Sequence, residues 1–150
     1  MTLVLEPAHL TAMERHGEAD YPREACGLIG GRRVGDRRVA MELVRLVNAW
    51  TDSARNRYLI DPDAYRRGEA RLARDELEVI GVYHSHPDSP AVPSRFDRDN
   101  AWPRLSYLIM GVARGRAGEM KSWLLADDRT AFAEELITVE ERKVTWQSQS

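Results

Sequence analysis

The sequence predicts a mixed α/β domain, and three observations carry that expectation. Two nearly continuous apolar runs, Val79-Ile80-Gly81-Val82-Tyr83 and residues 105–112, read as strands buried on both faces. Pro7 and Asp61-Pro62 each open a helix, since proline suits the first helical turn and aspartate the cap before it. Strand-like and helix-like stretches then alternate along the chain, the pattern of a mixed sheet with helices against it.

Taken in order, residues 2–5 form a short strand and a helix runs from Pro7 to about Tyr21-Pro22. Residues 25–30 read as a buried strand, followed by a turn from Gly30-Gly31 to Gly35. Residues 37–47 alternate, with Val39, Met41 and Leu43 on one face. A short strand over 57–60 precedes a helix from Asp61-Pro62 to about Leu77, where Arg71 and Asp75 form a solvated i, i+4 pair. A strand over 79–86, a short helix over 95–101 and a strand over 105–112 follow. Residues 119–126 and 133–139 complete the sheet, with a helix over 131–137 as the alternative for the last. From Glu140 the chain turns polar, so 1–140 is expected to be one domain and 141–150 a frayed tail.

At 150 residues the chain is long enough for one domain with a real core, and 43% hydrophobic with 31% charged residues is ordinary for a soluble protein. A net charge of −2 gives no nucleic-acid signature. Lys121 and Lys143 are the only lysines, and no function is read into the arginine bias. Cys26 is the only cysteine, which rules out an intramolecular disulfide and suits a reducing cytoplasm. Set in Ala25-Cys26-Gly27-Leu28-Ile29, it reads as a small buried hydrophobe. No basic start leads into an apolar core, and no apolar run approaches ~18 residues, so neither secretion nor a membrane span is expected.

The chemistry concentrates in residues 84–97: His84-Ser85-His86-Pro87, six residues, then Ser94-Arg95-Phe96-Asp97. At the end of a strand, His84 and His86 project to one side and Ser85 to the other. Cα atoms roughly 6.5–7 Å apart allow two imidazoles to converge on one zinc ion, with Asp97 returning as a third ligand and a fourth position open to water. Spacing alone leaves ordinary hydrogen-bonded histidines as an equal alternative. Ser94-x-x-Asp97 also has the form of a helix capping box. His9 and His16, seven apart, read as helix-surface residues and not as a second metal site.

The run His-x-His-Pro, six residues, Ser-x-x-Asp resembles the signature of the JAMM (MPN-type) zinc metalloprotease family. Tyr21-Pro22-Arg23-Glu24-Ala25-Cys26-Gly27-Leu28-Ile29-Gly30-Gly31 resembles the surroundings of that family's upstream glutamate. The similarity covers roughly residues 3–139. The resemblance implies a cytidine-deaminase-like three-layer sandwich, with His84, His86 and Asp97 binding zinc. It gives Glu24 the role of general base and then acid, and Ser94 that of hydrogen-bond donor to the oxyanion. The deaminases themselves do not fit, for want of His-x-Glu with Pro-Cys-x-x-Cys.

The same resemblance implies a compact, prokaryotic-type peptidase or isopeptidase. Its target bond would follow the C-terminal Gly-Gly of a ubiquitin-like or sulfur-carrier β-grasp protein, without selectivity for a ubiquitin-chain linkage. One alternative is release of cysteine from a sulfur-carrier–cysteine adduct. Another, of a different class, is a non-catalytic scaffold, and a RadC-type protein fits the upstream context less well. Should Glu24 not be the base, Asp88 and Asp99 are next by proximity in sequence.

Overall fold

The computed structural model describes residues 1–51 and 57–141. Its elements are β1 (Thr2–Leu5), α1 (Pro7–Asp20), β2 (Cys26–Val34), β3 (Arg37–Leu46), α2 (Pro62–Arg74), β4 (Glu78–Pro87), α3 (Arg95–Asn100), β5 (Ser106–Ala113), β6 (Arg116–Leu125) and β7 (Phe132–Val139). β2 pairs antiparallel with β3 on one side and with β4 on the other. β4 and β5 run parallel, and β5, β6 and β7 form an antiparallel meander. The sheet is therefore mixed, as the alternating pattern implies.

Alternation along the central strands splits the core in two. Leu28 and Val82 join one buried cluster with Leu72 of α2, while Ile29 and Tyr83 join another with Met13 of α1. The two long helices thus cover opposite faces of β2 and β4. A three-layer sandwich does not by itself imply what happens at the margins. β1 pairs parallel with both β3 and β7, so the strands close in the order β1-β3-β2-β4-β5-β6-β7. Closure leaves no free edge on these strands.

A buried ion pair spans the join. Arg38 of β3 lies 3.6 Å from Glu135 of β7, both all but excluded from solvent. Ser122 Oγ donates to Glu135 Oε1 at 2.6 Å, and Arg38 donates to the Arg104 carbonyl at 3.2 Å.

Several elements depart from their expected form. β2 continues to Val34 because Gly30-Gly31 makes a bulge in the ladder, and the turn sits at Gly35, where φ is +62°. Residues 57–60 are not a strand, since Leu59 exchanges bonds with the Asn48 side chain and the Ala49 N–H. α2 stops at Arg74, ahead of Glu76 at φ +59°. Arg71 pairs with Glu42 at 2.8 Å and not with Asp75, which caps the helix. Residues 132–139 are strand and not helix, held between β6 and β1. Of the tail expected to fray, all but Glu141 lies outside the described residues.

Candidate metal centre

β4 delivers two imidazoles to one point. His84 Nε2 and His86 Nε2 lie 3.1 Å apart. α3 brings Asp97, whose Oδ1 is 3.3 Å from His84 Nε2 and whose Oδ2 is 3.0 Å from His86 Nε2. Glu24, two residues before β2, places Oε1 4.0 Å from His84 Nε2. All four residues are buried, and their ligand atoms lie within 4.8 Å of one another. Among the described residues this is the only such group.

The spacing suits a metal ion. Tetrahedral donors bound at about 2.0–2.1 Å lie about 3.3–3.4 Å from one another. The three separations among His84, His86 and Asp97, 3.0 to 3.3 Å, are close to that edge. Glu24 stands farther back, and its buried Oε1 has no hydrogen-bond partner among the described residues, which suits a group that faces a cation or its water. The lone pairs also point the right way. The Pro90 carbonyl, 2.8 Å from His86 Nδ1, can only accept, so Nδ1 carries the hydrogen and Nε2 is bare toward the cluster. His84 Nδ1 has no such partner; its ring stacks on Tyr58 instead, at 4.4 Å between centroids.

Burial sets the charge states. Desolvation, with the Asp97 charge behind it, pushes the Glu24 carboxyl up to about 9. Desolvation also lowers His84, against an upward pull from Asp97. Burial is the largest single influence on Asp97 and would raise it, but the opposing influences together outweigh it. The charge and hydrogen bond of His84, together with the Ser94 N–H, hold that carboxyl well below the usual carboxylate range. The cluster thus contains one firm carboxylate, two imidazoles and one carboxyl ready to hold a proton.

Ser94 caps α3, accepting the Asp97 N–H at 3.0 Å, while its own N–H donates to Asp97 Oδ2 at 2.9 Å. Its hydroxyl proton remains for donation elsewhere. Ser94 shares with Glu24, His86 and the Pro87–Pro93 loop a cavity of about 300 Å³ at the mouth of the cluster. Asp88 is occupied otherwise, accepting from Tyr21 Oη at 2.7 Å and the Arg114 N–H at 2.8 Å. Asp99 is exposed on α3.

Cys26 is fully buried in the core, where desolvation pushes its thiol up to about 12. His9 and His16 are buried, not surface residues. His9 Nδ1 accepts the Glu6 N–H, and His16 lies between Tyr83 Oη at 2.7 Å and Asp20 at 3.1 Å. Neither joins the metal-competent group. Sequence reasoning missed the residues that brace the site. The Arg57 guanidinium lies 5.1 Å from the Phe96 ring and 5.6 Å from the Trp50 ring, and Trp50 meets Phe96 edge-on. That contact holds α3, and so Asp97, against the chain after β3. A signal for it exists only in the aromatic character of Trp50 and Phe96.

Residues 6–126 match the Prok-JAB family, described as prokaryotic homologs of the JAB domain. A probable TtuB-protein conjugate cleaving protease of Thermus thermophilus is 36% identical over 98 residues, 65% of this chain and 62% of its own length. The match therefore spans less than two thirds of that protein. The CysO-cysteine peptidase of Mycobacterium tuberculosis is 30% identical over 142 residues, 93% of this chain and 92% of its own. A solution structure of a protein from Desulfitobacterium hafniense superposes with a TM-score of 0.81 at 32% identity, covering 95% of this chain and 94% of that one.

Proposed function

Because the chain belongs to the family of prokaryotic JAB-domain homologues, we propose that it is a zinc-dependent isopeptidase. Its substrate on this reading is the amide bond after the C-terminal Gly-Gly of a ubiquitin-like or sulfur-carrier β-grasp protein. One observation carries the proposal: His84, His86 and Asp97 converge at tetrahedral spacing, with the protonatable Glu24 at 4.0 Å from His84. Two imidazoles and one carboxylate form the donor set of catalytic zinc sites.

Zinc, when bound, would polarise the scissile carbonyl and bring the pKa of water to about 7. The protein's own residues then have separate tasks. His86 is oriented by Pro90 and His84 by its stack on Tyr58, which fixes where both Nε2 atoms aim. Glu24 takes the proton of the attacking water at its carboxylate and returns it to the leaving amine. Burial lifts the carboxyl to about 9, and the charge of bound zinc would bring it back toward the range in which it can both accept and return a proton. Ser94 donates its hydroxyl proton to the oxygen that becomes negative, while its lone pair keeps α3 capped. The cavity lined by Pro87, Pro90, Pro93 and Ser94 is where the Gly-Gly tail would enter.

Release of cysteine from a sulfur-carrier–cysteine adduct is a second reading. It is favoured by the similarity to CysO-cysteine peptidase over 93% of this chain. Both readings require the same amide hydrolysis. A scaffold role is not favoured, since Glu24 and all four motif positions are filled. The buried free thiol of Cys26 is compatible with action in the cytoplasm, and no helix among the described residues is long and apolar enough to cross a membrane.

The test is zinc analysis of the purified protein together with a substrate panel of Gly-Gly-tailed β-grasp fusions and a carrier–cysteine adduct. One zinc per chain and cleavage directly after Gly-Gly are expected. Loading without cleavage of any panel member would overturn the hydrolase reading, and cleavage of the adduct alone would select the second.

A further inference from the structure

We propose that Asn48 and Ser85 form a clamp on the Glu24–Ala25 peptide that sets the aim of the Glu24 carboxylate. The inference rests on the reading of Glu24 as the base and makes Asn48 and Ser85 positioning residues for it.

Glu24 needs an external support. It lies outside β2, so the strand ladder does not set its backbone, and its Oε1 is not held by a hydrogen bond at its tip. The aim of the side chain must therefore come from the main chain. The Glu24 carbonyl accepts Asn48 Nδ2 at 3.0 Å, and the Ala25 N–H donates to Ser85 Oγ at 2.8 Å. These are the two polar ends of one planar peptide unit, pointing in opposite directions. Turning that plane breaks both bonds together. Both clamp residues are buried, Ser85 wholly and Asn48 at 5% exposure, so water is not at hand to replace either bond.

Neither clamp residue is free to yield. Asn48 uses its whole bonding capacity: Nδ2 also donates to the Arg57 carbonyl, and Oδ1 accepts from the Trp50 and Leu59 N–H groups, each at 3.0 Å. The two carbonyls and two N–H groups fix which end of the amide is which. Arg23 adds a bond to the Asn48 carbonyl at 3.0 Å. Ser85 is anchored by its own N–H, which donates to the Ala25 carbonyl at 3.0 Å. It is also the residue between the two histidines of the motif. The strand end that presents His84 and His86 thus holds, through the intervening side chain, the peptide that aims Glu24.

Ser85→Ala removes one jaw at little steric cost, and Asn48→Asp replaces both donors by a carboxylate oxygen while keeping the acceptor. Each variant is compared with wild type for zinc content, kcat and KM on a cleavable Gly-Gly fusion, and the crystal structure of Ser85→Ala is determined. Zinc content should be unchanged and KM altered by no more than about twofold, while kcat falls by about 10- to 100-fold. In a Glu24→Gln background neither change should lower kcat further, because the clamp acts only through Glu24. In the Ser85→Ala crystal structure, Glu24 Oε1 should have left its place 4.0 Å from His84 Nε2. An equal loss in the Glu24→Gln background, or a Glu24 carboxylate that has not moved, would overturn the clamp. Should Asn48→Asp not fold, Ser85→Ala decides alone. If the wild type cleaves no fusion, the hydrolase reading fails, and the position of Glu24 in the Ser85→Ala crystal still decides the clamp.

Discussion

Ser94 and Asp97 bind each other twice: Ser94 Oγ accepts the Asp97 N–H at 3.0 Å, and Asp97 Oδ2 accepts the Ser94 N–H at 2.9 Å. The residue that starts α3 therefore also steadies the carboxylate that faces His84 and His86. Capping and chemistry are not exclusive, because the hydroxyl accepts in one and donates in the other.

Ser94→Ala should show both roles. Loss of the cap is expected to cost about 0.5–2 kcal/mol of stability, measured by chemical denaturation. Loss of the donor should lower kcat by about 10²–10³-fold in the folded, zinc-loaded protein. Reduced stability with unchanged kcat would leave Ser94 as a helix cap alone.

Chelation should expose a pH dependence caused by Glu24. Between the ordinary value of 4.5 and about 9, the folded protein holds a proton on Glu24 that the unfolded chain has released. Stability therefore falls as pH rises through this window and is fully present only below it. The lowered His84 and His16 act with the opposite sign, but below 6.5. From pH 7 to 9 the metal-free protein should lose up to about 1.4 kcal/mol per pH unit, and Glu24→Gln should flatten the slope. An unchanged slope in that variant would place the proton on another group.

The closure of the sheet through β1, which lies between β3 and β7, makes a third expectation. Glu135→Ala leaves Arg38 buried without its counter-charge and Ser122 without its acceptor. Removing one member of such a pair costs about 3–5 kcal/mol, readable as a lower denaturation midpoint. A change within about 0.5 kcal/mol, as at ordinary surface sites, would mean the pair contributes little to closure.

The bulge in β2 is equally exacting. A Cβ on Gly31 would lie 2.0 Å from the Val39 carbonyl oxygen, a backbone atom that cannot swing aside. Gly31→Ala is expected to destabilise by about 1–3 kcal/mol or more. Wild-type stability would show that β3 can move away from the bulge.

These residues also mark how far the sequence could be read. His84 and His86 were legible because a strand has a period of two and the apolar run before them identifies the strand. Asp97 was legible as a third ligand from its spacing after His-x-His-Pro and from the family resemblance, with the capping box as the competing reading of the same residues. Glu24, sixty positions upstream of His84, has no local signal; only the family resemblance pointed to it, since the β2–β4 pairing that brings it near is non-local. The Arg38–Glu135 pair was out of reach for the same reason, and with it the closure of the sheet. Gly30-Gly31 misled because two glycines signal a turn or a bulge equally well. His16 looked like a surface residue because its partners are Asp20 on its own helix and Tyr83 on β4. Asn48 carried no motif, and its four bonds exist only because three chain segments meet around it.

If Glu24 moves the proton in amide hydrolysis at the His84, His86 and Asp97 site, replacing it should stop turnover without releasing zinc. The most direct measurement is kcat for a Gly-Gly-tailed fusion in wild type and Glu24→Gln at equal zinc occupancy. The expected result is one zinc per chain in both and a kcat lower by about 10²–10⁴-fold in the variant, since the amide can hydrogen-bond water but cannot take its proton. Near-wild-type turnover in zinc-loaded Glu24→Gln would take the role of base away from Glu24.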